Sequence, residues 1–227
     1  MPLTFNVARA DVSLESTYAQ PDFGLFRDTT GLVGHLFGRL QPHGLRTQDV
    51  KIERGDGSVA DFRIACHLFN YRLGVLVRTE KVESACLNVL EGEVEQFAAV
   101  TIDALSAVKE HQPSIVFRSH TVAVTMHGAL EGASTGDYLS RFATNIPSGL
   151  GPLTGCGGVM YFGTEGDRIL SSVTVDLSGV VPGGLFVRAY AVWDASKVEP
   201  SVLPARVRAF VRRAVEAFGL DVPTLGF

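Results

Sequence analysis

The run TGCGGV, residues 154–159, sets a cysteine among glycines and is the stretch that most invites a chemical reading. Glycine-rich loops hold phosphate when their backbone N–H groups lead into a helix N-terminus. This one leads into the strand-like VMYF, so it reads as a loop between a helix and a strand. Cys156 could act as a nucleophile only with a histidine base beside it, and no motif supplies one. His120 and His127 flank a strand, but at their spacing they point to opposite faces and do not share a metal. His67 lies in an apolar strand and reads as a hydrogen-bonded, partly buried side chain. GDG at 55–57 and EGD at 165–167 put carboxylates at hairpin tips, where turn chemistry accounts for Asp and Gly without calcium. No HExxH, P-loop or paired-carboxylate motif occurs. The reading therefore names no catalytic residue, no metal ligand and no cofactor.

Two sets of residues point to binding instead. In GLFVRAYAVW, Leu185, Val187, Ala189, Ala191 and Trp193 share one strand face, while Phe186, Arg188 and Tyr190 share the other. Leu76 and Arg78 hold that second face in an earlier, similar strand. Arginine beside aromatic and aliphatic side chains suits a protein-binding surface, combining large contact area with directional hydrogen bonds. The other set lies on two closing helices of opposite charge. One is acidic, with Glu91, Glu95 and Asp103; the other is basic, with Arg208, Arg212 and Arg213. Pairing between copies through these helices would be heterologous and salt-sensitive.

The elements that position these residues follow from periodicity. Residues 3–16 alternate apolar and polar as a strand. Asp28 or Thr29 caps a helix carrying Leu32, Val33, Leu36, Phe37 and Leu40, which QPHGL stops. DVKIERGDGSVADFRIACHLF and YRLGVLVRTEKVE read as three antiparallel strands around an Asp56-Gly57 turn. A long helix then presents Phe97, Val100, Thr101, Ala104, Leu105 and Val108 on one face. The second half repeats the order: strand, short helix capped by Ser134 or Thr135, PSGL, three strands with Gly166-Asp167 at a hairpin, and a closing helix with Pro204 in its first turn. GVLVRTEKVESACLNV from Gly74 and GLFVRAYAVWDASKVEP from Gly184 echo each other 110 residues apart, and the closing helices keep that offset. The expected fold is α+β: two fused β-α-β-β-β-α repeats, residues 1–112 and 113–227, forming one curved antiparallel sheet with the long helices on one face.

Residues 115–220, by this order of elements, the P-x-G-L passage and FRSHTVAVTMHG with Arg118, resemble a sporadically distributed, uncharacterised bacterial protein family. The duplicated order is also similar to TATA-binding-protein-like and helix-grip folds. The resemblance implies a bacterial protein and carries no catalytic residues over.

Composition sets the outer limits. Apolar residues make up 46% and charged residues 19% of 227, enough for a substantial core. A net charge of −4 argues against a nucleic-acid partner. Three cysteines without CxxC spacing read as reduced thiols of a cytoplasmic protein. No basic-then-apolar leader opens the chain, and no apolar run is long enough for a membrane helix, so no membrane partner is expected. The expected function is non-enzymatic binding or assembly through protein contacts, self-association included. The alternative is a helix-grip-like carrier of a small apolar ligand.

Overall fold

The computed structural model describes residues 2–53, 62–90, 92–143 and 156–223. The opening alternation folds as β1, Leu3–Tyr18, in which Ala10, Val12, Leu14, Ser16 and Tyr18 are buried and the residues between them half-exposed. Helix α1, Thr29–Leu40, starts where the Asp28 carboxylate accepts the Gly31 N–H at 2.8 Å, and it buries Leu32, Leu36 and Leu40 along one stripe. A 3-10 turn, Gln41–His43, ends it, with Gly44 in the left-handed region at φ 92°. Four strands follow: β2 Val50–Glu53, β3 Arg63–Leu68, β4 Leu73–Val77 and β5 Lys81–Cys86. Sequence periodicity counts three here. The stretch YRLGVLVRTEKVE bends at Arg78–Glu80, where the Arg78 N–H donates to the Lys81 carbonyl at 2.9 Å. No glycine or proline marks that bend, so the hairpin gives no breaker signal. The Asp56-Gly57 turn lies outside the described residues.

Helix α2, Glu93–His111, closes the first half. The second half runs β6 Phe117–Leu130, α3 Thr135–Ser140, β7 Gly158–Phe162, β8 Arg168–Leu177, β9 Leu185–Asp194, α4 Leu203–Ala217 and β10 Leu220–Asp221. Ser134 caps α3 by accepting the Asp137 N–H at 3.0 Å, and Pro204 stands in the first turn of α4. The molecule is α+β, with a sheet in the order β2-β3-β4-β5-β1-β6-β9-β8-β7 and helices on one side of it. Its neighbours are antiparallel, apart from the short β10, which runs parallel to the start of β1 with Leu3 opposite Leu220. Strands β1 and β6 form the seam, from Phe5 opposite Leu130 to Tyr18 opposite Phe117. On each side of it the first strand of a half pairs with that half's last strand, β1 with β5 and β6 with β9, and the rest meander outward. The seam is tight at Gly128: a Cβ there would come within 2.2 Å of the Asn6 carbonyl oxygen and 2.8 Å of the Phe5 ring.

The 110-residue register holds for the closing helices. Phe97, Val100, Thr101, Ala104, Leu105 and Val108 are buried, as are Val207, Phe210, Val211, Ala214, Val215 and Phe218. In β9, Leu185, Val187, Ala189, Ala191 and Trp193 are all buried toward the helices. The strands depart from that register, because β9 borders the seam whereas its echo, β4, is held one strand away from it by β5. The helix layer is also uneven. The twelve-residue α1 packs beside α2, while the six-residue α3 gives the second half a much smaller cover.

Phe218, 7% exposed, ends α4 against the Phe142 ring at 5.6 Å, and its carbonyl accepts the Tyr138 hydroxyl at 2.9 Å. Phe218→Ala should cost about 3–5 kcal/mol in a urea titration. A loss within error would show that this corner of the core does not depend on the ring.

Candidate functional site

Apolar surface is concentrated at one end of the sheet. Among the described residues, the longest run of exposed large apolar side chains lies on β7 (Val159, Met160, Tyr161, Phe162) beside Ile169 and Leu170 of β8, with Tyr161 81% exposed; others, such as Ile52 on β2, Tyr71 and Leu90, lie elsewhere. Strand β7 is terminal, and no described strand pairs with its outer edge. Register divides its side chains between the two faces. Met160 and Phe162 stand opposite Val173 and Ser171 on the helix side, and Val159 and Tyr161 opposite Thr174 and Ser172 on the open side. The short α3 explains the helix-side exposure: between α4 and β8 there remains a cavity of about 180 Å³. Within it the buried Ser171 hydroxyl has no partner, and the Arg168 guanidinium lies 5.2 Å from the centre of the Phe210 ring. The opposite edge strand, β2, carries Lys51 and Glu53, charges of the kind that discourage strand addition. The β7 edge has none.

The structure divides the residues singled out for binding. Phe186, Arg188 and Tyr190 lie on the open face of β9, and the register carries Tyr190 through Ser172 to Tyr161, and Arg188 through Thr174 to Val159. They are thus continuous with the β7 surface, two strands inward. The Arg188 guanidinium lies 5.4 Å from the Tyr190 ring centre. Leu76 and Arg78 share this face but not this place. The row through Leu76 passes Glu83, Glu15 and Thr121 to reach Val192, so they stand four strands from β9, about 20 Å away. Arg78 marks the end of β4, not the counterpart of Arg188, and it donates to Glu83 at 3.1 Å in a charged cluster with Lys81 and Glu15.

The oppositely charged helices meet within one molecule. Arg208 of α4 donates to Glu95 of α2 at 2.7 Å. Asp103 bonds His43 at 2.7 Å and stands 3.8 Å from Arg39. Arg213 stands 3.7 Å from Glu165, and Arg206 3.0 Å from Asp167, so the carboxylates of the EGD hairpin face the basic helix. Arg212 lies on α4 with these arginines, and Glu91 is outside the described residues. Exposed pairs of this kind contribute about 0–1 kcal/mol each.

The remaining candidates are dispersed. Cys156, partly buried, packs against the core ahead of β7. Burial pushes the Cys66 and Cys86 thiols up, to about 12 and about 11. His67 is half-buried, with its ring 4.8 Å from that of Tyr71. His127 is on the open face, its Nδ1 2.9 Å from the Ser178 hydroxyl and its ring against Phe186. His120 is on the helix face, 1% exposed, its Nδ1 2.8 Å from the Ser16 hydroxyl. Among the described residues no group of three His, Cys, Asp or Glu side chains is placed to hold a metal. Between the sheet and the two closing helices, lined by Val12, Phe97, Val122 and Val207, the apolar crevice holds only about 40 Å³. Small-molecule sites run to about 300–1,000 Å³, so this space does not suit an apolar cargo. No helix among the described residues is long and apolar enough to cross a membrane.

No protein-family model matches the chain, and no curated protein does. Among solved structures it is similar to the substrate-free duplicated taurocyamine kinase from Schistosoma mansoni, at 12% identity and a TM-score of 0.34. The match covers 93% of this chain and 33% of that one, so the chain spans about a third of the length of that structure.

Burial alone pushes the His120 pKa down, to about 4. An unfolded histidine titrates near 6.5. Between about 4 and 6.5 the unfolded chain therefore binds the extra proton, so stability is complete above that window and falls as pH drops through it. Moving from pH 7 to pH 5 should cost about 2 kcal/mol from this group, and His120→Gln should remove that part of the slope in paired urea titrations. An unchanged slope in the variant would mean that the imidazole is not held neutral.

Proposed function

We propose that this chain is a non-enzymatic binding or assembly protein, built by internal duplication, that acts through protein–protein contacts at the β7 end of its sheet. The observation that carries the reading is the terminal strand itself, which is apolar, uncharged and exposed on both faces. An unpaired edge presents a row of backbone donors and acceptors, and strand addition is the contact that satisfies them. A second copy is the partner that fits. Antiparallel pairing about a two-fold axis at Met160 sets Val159 opposite Tyr161 of the other copy, a β-branched–aromatic pair with no like charges facing. Arg188, Tyr190 and Phe186 extend the contact inward along the open face. The three free cysteines suit a reducing compartment such as a bacterial cytosol.

Native mass spectrometry and light scattering test this. The unmodified chain should be dimeric, and Val159→Lys with Tyr161→Lys should convert it to a folded monomer, as edge lysines do by repelling an incoming strand. The double variant Arg78→Ala, Arg188→Ala should weaken association through Arg188 alone, matching Arg188→Ala by itself. A monomeric parent chain at the highest soluble concentration, or dimers indifferent to the two lysines, would sink the proposal.

A further inference from the structure

A second site lies at the other end of the helix layer, away from β7. Between the C-terminal half of α2, the start of β6 and the turn after β9 is a cleft of about 490 Å³, within the size range of small-molecule sites. Leu105, Phe117 and Pro200 line it with apolar surface, Ser106 and Lys109 stand along α2, and His120 is the most buried of its lining residues.

The histidine decides what this cleft can hold. Its Nδ1 is 2.8 Å from the Ser16 hydroxyl, and Ser16 is fully buried. Among the described residues Nδ1 is the only side-chain partner of that hydroxyl, and a buried hydroxyl proton left without an acceptor is costly. The Ser16 O–H therefore donates to Nδ1, which puts the ring proton on Nε2. With Nδ1 occupied, Nε2–H is the nitrogen left to the cleft, and no second hydrogen bond to the ring is recorded among the described residues. Burial keeps the imidazole uncharged at neutral pH. The wall charges also balance: Arg39 and Lys109 against Glu110 and Glu199, with Arg39 already bonded to Glu110. The last turn of α2 points its partial negative charge toward this region, which disfavours an anion. A fixed neutral donor at the base of a half-apolar, charge-balanced cleft calls for an uncharged ligand with one acceptor atom.

We propose that this cleft binds a small uncharged molecule with an apolar, flat body and a carbonyl-type acceptor that takes the His120 Nε2–H hydrogen bond, the body lying against Phe117 and Leu105. The edge strand β7 plays no part in it, so the two proposals stand or fall separately.

Benzamide is a suitable probe, with benzoate and benzylamine as charged controls of the same shape. Titration of the isotope-labelled full chain, followed by NMR, should show benzamide shifting the His120 ring and Leu105 methyl resonances with an affinity on the order of millimolar. The two charged controls should bind about tenfold more weakly or not at all. Before any addition, the His120 ring spectrum should show the Nε2–H tautomer. Ser16→Ala, which frees the tautomer, should weaken benzamide binding several-fold. Ser106→Trp, which fills the cleft from the helix side without touching the imidazole, should abolish it even if Ser16→Ala fails to fold. No shift at His120 or Leu105, the Nδ1–H tautomer, benzoate binding as well as benzamide, or binding that survives Ser106→Trp would each overturn the assignment.

Discussion

Everything in this molecule hangs on the antiparallel pairing of β1 with β6. It is the longest ladder in the sheet, and it alone joins the two meanders, since β5 ends one and β9 begins the other. The residues that point inward from it, Val12 and Leu14 on one strand and Val122 and Val124 on the other, form the floor on which α2 and α4 rest. A slip of one residue would turn that whole set to the open face. Gly128 helps to hold the register, because the backbone of β1 passes where any side chain at that position would have to go.

Around this seam the halves differ both in strand number and in cover. In the first half α1 buries three leucines and lies beside α2, and the edge strand β2 is charged. In the second half α3 is half as long, and the edge strand β7 is apolar. The two departures coincide in space, which distinguishes this surface from scattered exposed apolar residues of the ordinary kind. The charges follow a different logic. Acidic α2 and basic α4 are neighbours over the seam, so their attraction is used inside the molecule, through Arg208 and Glu95.

Much of this architecture is legible in the residues, for identifiable reasons. Amphipathic helices announce themselves by a 3.6-residue stripe, and the stripes from Phe97 to Val108 and from Val207 to Phe218 are all buried. Strand alternation does the same for β1, β6 and β9. The β4–β5 hairpin escapes notice because Arg78, Thr79 and Glu80 turn the chain with neither glycine nor proline, leaving only a change of phase in the apolar pattern. That missed turn is also why Arg78 and Arg188 look equivalent in sequence and are not neighbours in space. The β7 surface is not legible for another reason: an apolar run such as VMYF fits a buried strand as well as an exposed one, and only the length of α3 and the position of β7 in the sheet show that it is exposed. The His120–Ser16 pair joins residues more than a hundred positions apart, and no local motif encodes it.

The pairing of Leu3 with Leu220 has a consequence for the order in which the chain can assemble. Strand β1 finds this partner only after β2 to β9 and the four α-helices have been made. Until β6 is synthesised, one entire edge of β1 stands open, although β2 to β5 and α2 are already available to build the first half against its other edge. Contacts this distant in sequence form late, and a long unpaired edge in the meantime is a target for wrong partners. The nascent chain is therefore exposed to misassembly until β6 has emerged, and a chaperone that shields a strand edge until then would raise the yield of the folded protein.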